Sequence, residues 1–299
     1  QAGRFAEQVA AKGMGAFPQL YPCENLECDA YTVFTNKPVS GAMRGYGIPQ
    51  AMFAGESHID DVARALHMDP LAFRRKNMMP VGYVDDFSKN ENYSDSLNQC
   101  IEKGMEYLDY ARKKEAYAKE TGPVRHGVGM AIFWYNTAVW PISLESSSCR
   151  MVLNQDGSIQ LQMGETEIGQ GADTAFAQMA AEALGIPFAS VHVISTQDTD
   201  VTPFGLGAYA SRQTYIGGFS IKQTALLMRE RILKYAYELT RMPPFEMDIV
   251  DGNILRKSDG RVLMTLGELA TEALYSLSHS EHITAESTYQ VKSNAYSFG

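Results

Sequence analysis

The chain has 299 residues, enough for one large domain or two, and with 45% hydrophobic and 20% charged residues its composition is that of ordinary globular protein. A formal net charge of −9 leaves no basic excess to meet phosphates, which argues against general nucleic-acid binding. No apolar run approaches the roughly 20 residues of a membrane span, and the opening QAGRFAEQVAAKG lacks the apolar core of a signal peptide, so the cytoplasm is the default compartment.

Gln1 to Lys12 has helical character and is expected to end at Gly13 and Gly15. Phe17 to Pro38 is expected to be extended and loop-like, and within it Ala30 to Thr35 (AYTVFT) is rich in strand formers. Val39 to Gln50 (VSGAMRGYGIPQ) sets Arg44 and Tyr46 among three glycines and a proline. Such backbone does not build a core; the planar fork of Arg44 suits an anionic group and Tyr46 an aromatic one, although a plain glycine loop with a surface arginine fits as well. Met52, Phe53, Ile59, Val62, Ala63 and Leu66 recur near a 3.6 period and predict a helix over Gln50 to Leu66. Asp69 and Pro70 are cap and first-turn residues for a second helix to Lys76. Pro80 to Tyr93 is expected as a loop, with Asp85 and Asp86 a solvated pair, and Ser96 to Glu120 as one helix broken by Thr121-Gly122-Pro123.

Beyond Arg125, Gly127 to Tyr135 (GVGMAIFWY) has the texture of a strand. Cys149 to Leu153 and Ser158 to Met163 flank Asn154 to Gly157, a hairpin signal of the Asp-Gly kind. The loop Gly164-Glu-Thr-Glu-Ile-Gly-Gln-Gly171 then leads into a helix over Ala172 to Leu184. Glycines between a strand and a helix let backbone approach a ligand, and the new helix presents free N–H groups; an ordinary turn is the competing reading. Ser190 to Ser195 alternates as a strand with His192 facing out. The segment Gly207 to Thr214 (GAYASRQT) places four polar side chains in a row before a long helix, Gly217 to Leu239. Met247 to Val250 and Asn253 to Arg256 form a second hairpin, Thr265 to Ser276 a helix with a capping box, and Thr284 to Val291 a last strand. The four cysteines, Cys23, Cys28, Cys100 and Cys149, contain no CxxC pair and have no histidine at zinc-ligand spacing; buried free thiols are expected over a Cys23–Cys28 disulfide.

Three glycine-rich polar loops, each leading into a helix and none a Walker or GxGxxG motif, suggest one large phosphate-bearing ligand. Arg44-Gly-Tyr-Gly-Ile-Pro-Gln50, Gly164 to Gly171 and Ser211-Arg-Gln-Thr214, in this order and at these separations, resemble the molybdenum-binding subunit of the xanthine dehydrogenase and aldehyde oxidase family of molybdenum hydroxylases. The resemblance covers nearly the whole chain. It implies a molybdenum held by the dithiolene of a molybdopterin cofactor, with the cytosine dinucleotide form ranked first. By the match, Gln170 lies against the metal's oxo group and Gly169 and Gly171 line the cofactor. Ala210, Ser211, Arg212, Gln213 and Thr214 contact the pterin and its phosphate, Met43 and Arg44 bring backbone beside the metal centre, and Tyr46 faces the substrate. The implied reaction hydroxylates an N-heteroaromatic ring carbon or an aldehyde with oxygen from water. Electrons then leave through iron–sulfur and FAD subunits or domains, for which no cysteine cluster exists here.

Two departures accompany the match. The family's basic glutamate sits in a Gly-x-Gly-Glu-Pro segment that this chain lacks, so the remaining part of the molybdenum-binding subunit is an expected partner and the chain by itself an incomplete catalyst. Around Met130-Ala131 the residues of purine-oxidising members are missing, which leaves a pyridine-type substrate as open as a purine. The expected architecture is α+β: two subdomains with mixed sheets flanked by helices, a fragment of the molybdopterin-binding region divided as 1–122 and 123–299. The rival readings are a structural or assembly module that binds no cofactor by itself, and a nucleotide-phosphate binder unrelated to molybdenum.

Overall fold

A computed structural model describes residues 6–38, 41–86, 88–140, 145–194, 198–291 and 293–299. Expectations that fall on Gln1 to Phe5, on Val39 and Ser40, and on Ser195 to Gln197 lie outside the described residues. The chain divides into two compact units, Gln1–Ile142 with Ser293–Gly299, and Ser143–Lys292. Residues 124–140 pack with the first of them, where Trp134 Nε1 donates to Ala16 O (2.6 Å) and Ile132 N to Glu56 Oε2 (2.9 Å).

In the first unit, helix α1 spans Ala6–Leu20 and runs straight through the glycines expected to end it. The reason is tertiary: a Cβ on Gly13 would stand 3.2 Å from Gly47 O, so the missing side chain serves a close backbone approach and not a stop. Helix α2, Ile48–Ala65, buries Met52, Ile59 and Ala63 on one stripe, but Phe53 (79%) and Leu66 (57%), which the periodicity placed with them, are exposed. Asp69 caps α3, Pro70–Asn77, its Oδ1 accepting from Leu71 N (3.0 Å) and Ala72 N (2.9 Å). The single helix expected over Ser96 to Glu120 is two, α4 Ser96–Leu108 and α5 Tyr110–Ala118, broken where Asp109 takes φ +51°. Of the strand-like run at 127–135 only its end joins a ladder, β1 (Trp134–Asn136); the sheet partner comes from the far end of the chain, where residues 296–298 pair with it antiparallel.

Leu20, Ile48, Ile59, Leu97, Ile101 and Trp134 make this unit's core. Glu56, 5% exposed, sits inside it and accepts from Tyr21 Oη (2.5 Å), Arg74 Nε (2.7 Å) and Ile132 N. Burial first, and then the adjoining carboxylate, push the Tyr21 phenol well above its ordinary pKa. Asp85 is not solvated as expected: it is 5% exposed and accepts from Ser88 N at 2.6 Å, while Asp86 stays in water.

In the second unit the elements follow as β2 (Ser146–Leu153), β3 (Ile159–Met163), α6 (Ala172–Leu184), β4 (Val191–Ile194), α7 (Gly218–Thr240), β5 (Met247–Val250), β6 (Asn253–Arg256), β7 (Val262–Thr265), α8 (Leu266–Tyr275) and β8 (Thr284–Gln290). One sheet has the order β4-β3-β2-β8; it is mixed because α6 carries the chain from β3 to its parallel neighbour β4, while the β2–β3 hairpin and the β2–β8 pair are antiparallel. β5, β6 and β7 form a second, antiparallel sheet. Alternate residues Cys149, Met151 and Leu153 of β2 and Ile159, Leu161 and Met163 of β3 are buried with Phe176 and Ala180 of α6 and Ile221, Ala225 and Met228 of α7. Each Leu, Ile or Met so covered contributes about 1.5–3 kcal/mol relative to exposure. β2 begins at Ser146, earlier than its apolar pattern suggests, because its serines pair across to β8, with Ser148 Oγ and Thr288 Oγ1 2.8 Å apart. The capping box of α8 forms as expected, Thr265 Oγ1 accepting from Glu268 N and Thr265 N donating to Glu268 Oε2. His192 is exposed, as expected of its place in the alternation.

Cys149 is buried as a free thiol, but Cys23 and Cys28 are exposed free thiols and Cys100 is half-buried, which corrects the expectation of uniform burial. No helix among the described residues is long and apolar enough to cross a membrane. Likewise, among the described residues no group of three His, Cys, Asp or Glu is placed to hold a metal ion.

Candidate functional site: the paired glutamine loops

Two segments of the second unit are built around one buried cation. Arg212 is 0% exposed. Its Nε donates to Glu145 Oε2 (2.7 Å), its Nη1 to both oxygens of Glu165 (2.8 and 2.7 Å) and to Gly207 O (3.0 Å), and its Nη2 to Ser146 O (2.6 Å). One guanidinium therefore ties the entry to β2, the loop after β3 and the turn before α7 together, and the planar fork is what lets one side chain meet two carboxylates. The two segments also touch backbone to backbone: a Cβ on Gly164 would lie 2.2 Å from Pro203 O, and one on Gly205 would lie 2.4 Å from Gly164 C.

This frame holds Gln170 and Gln213 together. Gln170 Nε2 donates to Gln213 Oε1 (2.6 Å) and to Thr166 O (2.9 Å), and Gln213 Nε2 donates to the same Thr166 O (2.9 Å). Gln170 Oε1 accepts from Ile168 N at 2.7 Å. Both amide hydrogens of Gln170 are thus engaged within the loops, while its side chain remains exposed to solvent. Gln213 opens a π-helical turn, Gln213–Gly217, that widens the backbone just before α7; such turns recur at functional sites. Ahead of it, Ala210 (φ +48°) and Ser211 (φ +57°) are consecutive left-handed residues that carry side chains, a conformation that costs of order 1–3 kcal/mol each and persists only where its surroundings impose it.

Glu167 caps the start of α6. Its Oε1 accepts from Gly169 N (2.6 Å) and Gly171 N (3.2 Å), and its Oε2 from Asp173 N (3.2 Å). The N–H of Asp173 first, and those of Gly171 and Gly169 after it, hold this carboxyl below its ordinary pKa against the opposing effect of desolvation. Gly169 (φ +94°) and Gly171 (φ +83°) have left-handed backbone, and a Cβ on either would meet nothing within 4 Å. These glycines are open on the side where a side chain would stand, so a ligand can reach bare backbone on both flanks of Gln170.

The residues singled out from sequence divide accordingly. Gly169, Gln170 and Gly171 are joined to Ala210–Thr214 through the Gln170–Gln213 bond, with Ser211 and Thr214 exposed. Arg212 faces inward, and the hydrogen bonds that consume its guanidinium leave it a scaffold for the loops. Met43, Arg44 and Tyr46 belong to the first unit. Met43 is 76% exposed and its carbonyl accepts from Tyr46 N (3.0 Å); Arg44 is exposed, and no partner for its guanidinium is found among the described residues. Tyr46 takes φ +55°, is 3% exposed and donates its hydroxyl to Gln8 Oε1 (3.0 Å), so its ring faces the interior of that unit beside Lys12. Sequence reasoning missed Glu145, Glu165 and Glu167 as the groups that shape the loops; the two acidic residues inside the glycine loop, upstream of a lone arginine in the third motif, were the available signal.

Within the second unit, the open glycines and the exposed Ser211 and Thr214 fit a bulky, polar, phosphate-bearing group that is met by backbone and not ligated by side chains. Comparison with known proteins agrees. Residues 103–299 and residues 2–78 each match a family model described as a molybdopterin cofactor-binding domain. A putative xanthine dehydrogenase molybdenum-binding subunit of Escherichia coli K12 is 40% identical over 292 residues, 97% of this chain and 39% of the relative. Among solved structures, quinoline 2-oxidoreductase from Pseudomonas putida superposes with a TM-score of 0.73 at 24% identity, over 86% of this chain and 35% of that one. Aldehyde oxidoreductase from Desulfovibrio desulfuricans superposes with a TM-score of 0.72 at 24% identity, over 99% of this chain and 30% of that one. These two likenesses speak to the fold, and the chain spans about two fifths of the length of its curated relative.

Proposed function

We infer, for a chain that belongs to the molybdopterin cofactor-binding domain family of the molybdenum hydroxylases, that its paired glutamine loops hold molybdenum–molybdopterin as part of a larger oxidoreductase. The observation that carries this reading is the pair of open glycines, Gly169 and Gly171, on either side of an amide that is itself pinned by Gln213. Bound there, the group would supply two-electron redox chemistry for hydroxylating a substrate carbon with oxygen derived from water. The residues of the chain bind and orient. The backbone at Gly169, Gly171 and Ala210–Thr214 lines the pterin, Ser211 and Thr214 offer hydroxyls to its phosphate, and Gln170 presents its amide to the metal end. For Gln170 to donate to a ligand, its Nε2 has to give up Gln213 Oε1 or Thr166 O, so Gln213 sets how readily that amide turns outward.

In the first unit, Met43 and Arg44 are assigned to the cofactor and Tyr46 to the substrate; a substrate contact by Tyr46 requires its ring to leave the packing beside Gln8. The proposed substrate class is an N-heteroaromatic ring or an aldehyde, supported by the xanthine, quinoline and aldehyde named in the relatives and neighbours. The proposed partners are iron–sulfur and FAD subunits or domains and the rest of the molybdenum-binding subunit. The proposed compartment is the cytoplasm, where the exposed thiols of Cys23 and Cys28 would stay reduced. The cytosine dinucleotide is the proposed form of the pterin.

The test is Gln170→Ala in the complete complex, with molybdenum, pterin and turnover measured on one preparation. The expected outcome is a fall in kcat of about 100-fold, the scale on which a single positioned amide donor acts, with the melting temperature little changed because an exposed loop amide supports no core. Parental turnover would remove Gln170 from the site, and a complex free of molybdenum and pterin in the parental protein would overturn the reading as a whole.

A further inference from the structure

An amide nitrogen has two hydrogens to give, and an amide oxygen has two lone pairs to receive with. At Gln170 the nitrogen is fully used: one hydrogen of Nε2 goes to Gln213 Oε1 (2.6 Å) and the other to Thr166 O (2.9 Å). The oxygen is half used. Gln170 Oε1 accepts from Ile168 N (2.7 Å), and among the described residues no second donor reaches it. The two ends of this amide cannot be exchanged. Thr166 O only accepts and Ile168 N only donates, so a turned amide would set acceptor against acceptor and donor against donor. Gln213 is oriented in the same way: its Nε2 donates to Thr166 O (2.9 Å), and its Oε1 is left to face Gln170. Gln213 is 9% exposed and directly follows Arg212, whose guanidinium is held by Glu145 and Glu165. The oxygen that receives Gln170 therefore stands on a buried frame, while Gln170 itself is exposed with bare glycine backbone on either side.

We propose that Gln170 meets the pterin as a hydrogen-bond acceptor, through the second lone pair of its Oε1, and that Gln213 is the positioning residue that fixes this polarity. The inference rests on the reading that the paired loops hold molybdopterin, and it decides between the two ways in which Gln170 can serve there. Donating to the ligand would cost Gln170 one of its two bonds, to Gln213 Oε1 or to Thr166 O, whereas accepting costs it none. A free lone pair selects its partner. An oxo oxygen or an ionised phosphate has no hydrogen to give and repels it; the ring and amino N–H groups of a pterin match it. Gln170 then recognises the heterocycle of the cofactor. Without the oxygen of Gln213 one Nε2 hydrogen is released, and the amide is free to turn its donor outward.

The experiment is a crystal structure of the complete complex, with pterin and molybdenum assayed on the same preparation, for the parental protein and for Gln213→Met. In the parental complex Gln170 Nε2 is expected to stay within about 3.2 Å of both Gln213 Oε1 and Thr166 O, with a pterin nitrogen within about 3.2 Å of Gln170 Oε1. Gln213→Met keeps the length and apolar bulk of the side chain and removes its polar atoms. It is expected to let the Gln170 amide turn and to release pterin about 10-fold faster, the scale of one hydrogen bond lost. A parental structure with Nε2 turned onto the cofactor, or with no N–H facing Oε1, would overturn the proposal while leaving the pterin site itself in place. Gln170 unmoved in Gln213→Met, with pterin release at the parental rate, would reduce Gln213 to a packing residue and overturn its positioning role. A parental complex free of pterin would remove the reading beneath the proposal, and the assay on the same preparation tells that failure from the others.

Discussion

At the scale of single residues, the site depends on side chains that a ligand need not touch. Glu167 holds the amides of Gly169, Gly171 and Asp173, and those N–H groups depress its pKa. A carboxylate whose pKa is lower folded than unfolded adds stability that is present above its unfolded value and is lost as the pH falls through its folded value. The Gly169 and Gly171 amide resonances are therefore expected to hold constant around neutral pH and to move as the pH drops below the ordinary carboxylate range. Glu167→Gln should flatten that titration, because a neutral amide has no charge to lose. An unchanged titration in Glu167→Gln would assign it to another acid. The place of Gln170 in a glycine loop between strand and helix was legible in the sequence. Its bond to Gln213 was not, since 43 residues separate the two and only the folded loops bring them within 2.6 Å.

Secondary-structure elements were legible where local chemistry decides them. The β2–β3 hairpin across Asn154–Gly157, helix α6, the β5–β6 hairpin and the capped α8 follow from turn residues, period and caps that act within a few residues of one another. Helix α1 ran past its glycines, and the helix expected after Ser96 broke at Asp109, because packing and backbone conformation outweighed propensity there. The junction of β2, the post-β3 loop and the turn before α7 is the element-scale device that matters most, and it rests on Arg212. Removing one partner from a buried ion cluster leaves the others uncompensated, so Arg212→Ala is expected to destabilise the second unit by about 3–5 kcal/mol in urea unfolding. Arg212→Lys should recover only part of that loss, because one ammonium cannot reproduce the fork that meets Glu145 and Glu165 together. A loss in Arg212→Ala no larger than that of an exposed pair, below about 1 kcal/mol, would show that the cluster does not hold the loops.

On the scale of the whole molecule, two cores stand behind two units, one led by Trp134 and Ile101 and the other by Leu161 and Phe176. Leu161, 0% exposed in the middle of the mixed sheet, is the most direct probe of the second. Leu161→Ala should cost about 2–5 kcal/mol through lost burial and the cavity left behind, seen as faster amide exchange across β2, β3 and β4. A cost under about 1 kcal/mol would mean that the sheet is not packed as described.

Composition, period and turn chemistry by themselves determined that the chain is α+β, where most of its helices and hairpins lie, and where three loops rich in glycine and polar groups fall, because each of those properties is written in neighbouring residues. Only the tertiary structure decided that residues 124–140 pack with the first unit, that Arg212 is a buried tie between Glu145 and Glu165, and that Tyr46 turns inward. Those outcomes depend on groups tens to hundreds of residues apart, whose meeting is set by the shape of the packed whole and not by anything local to them.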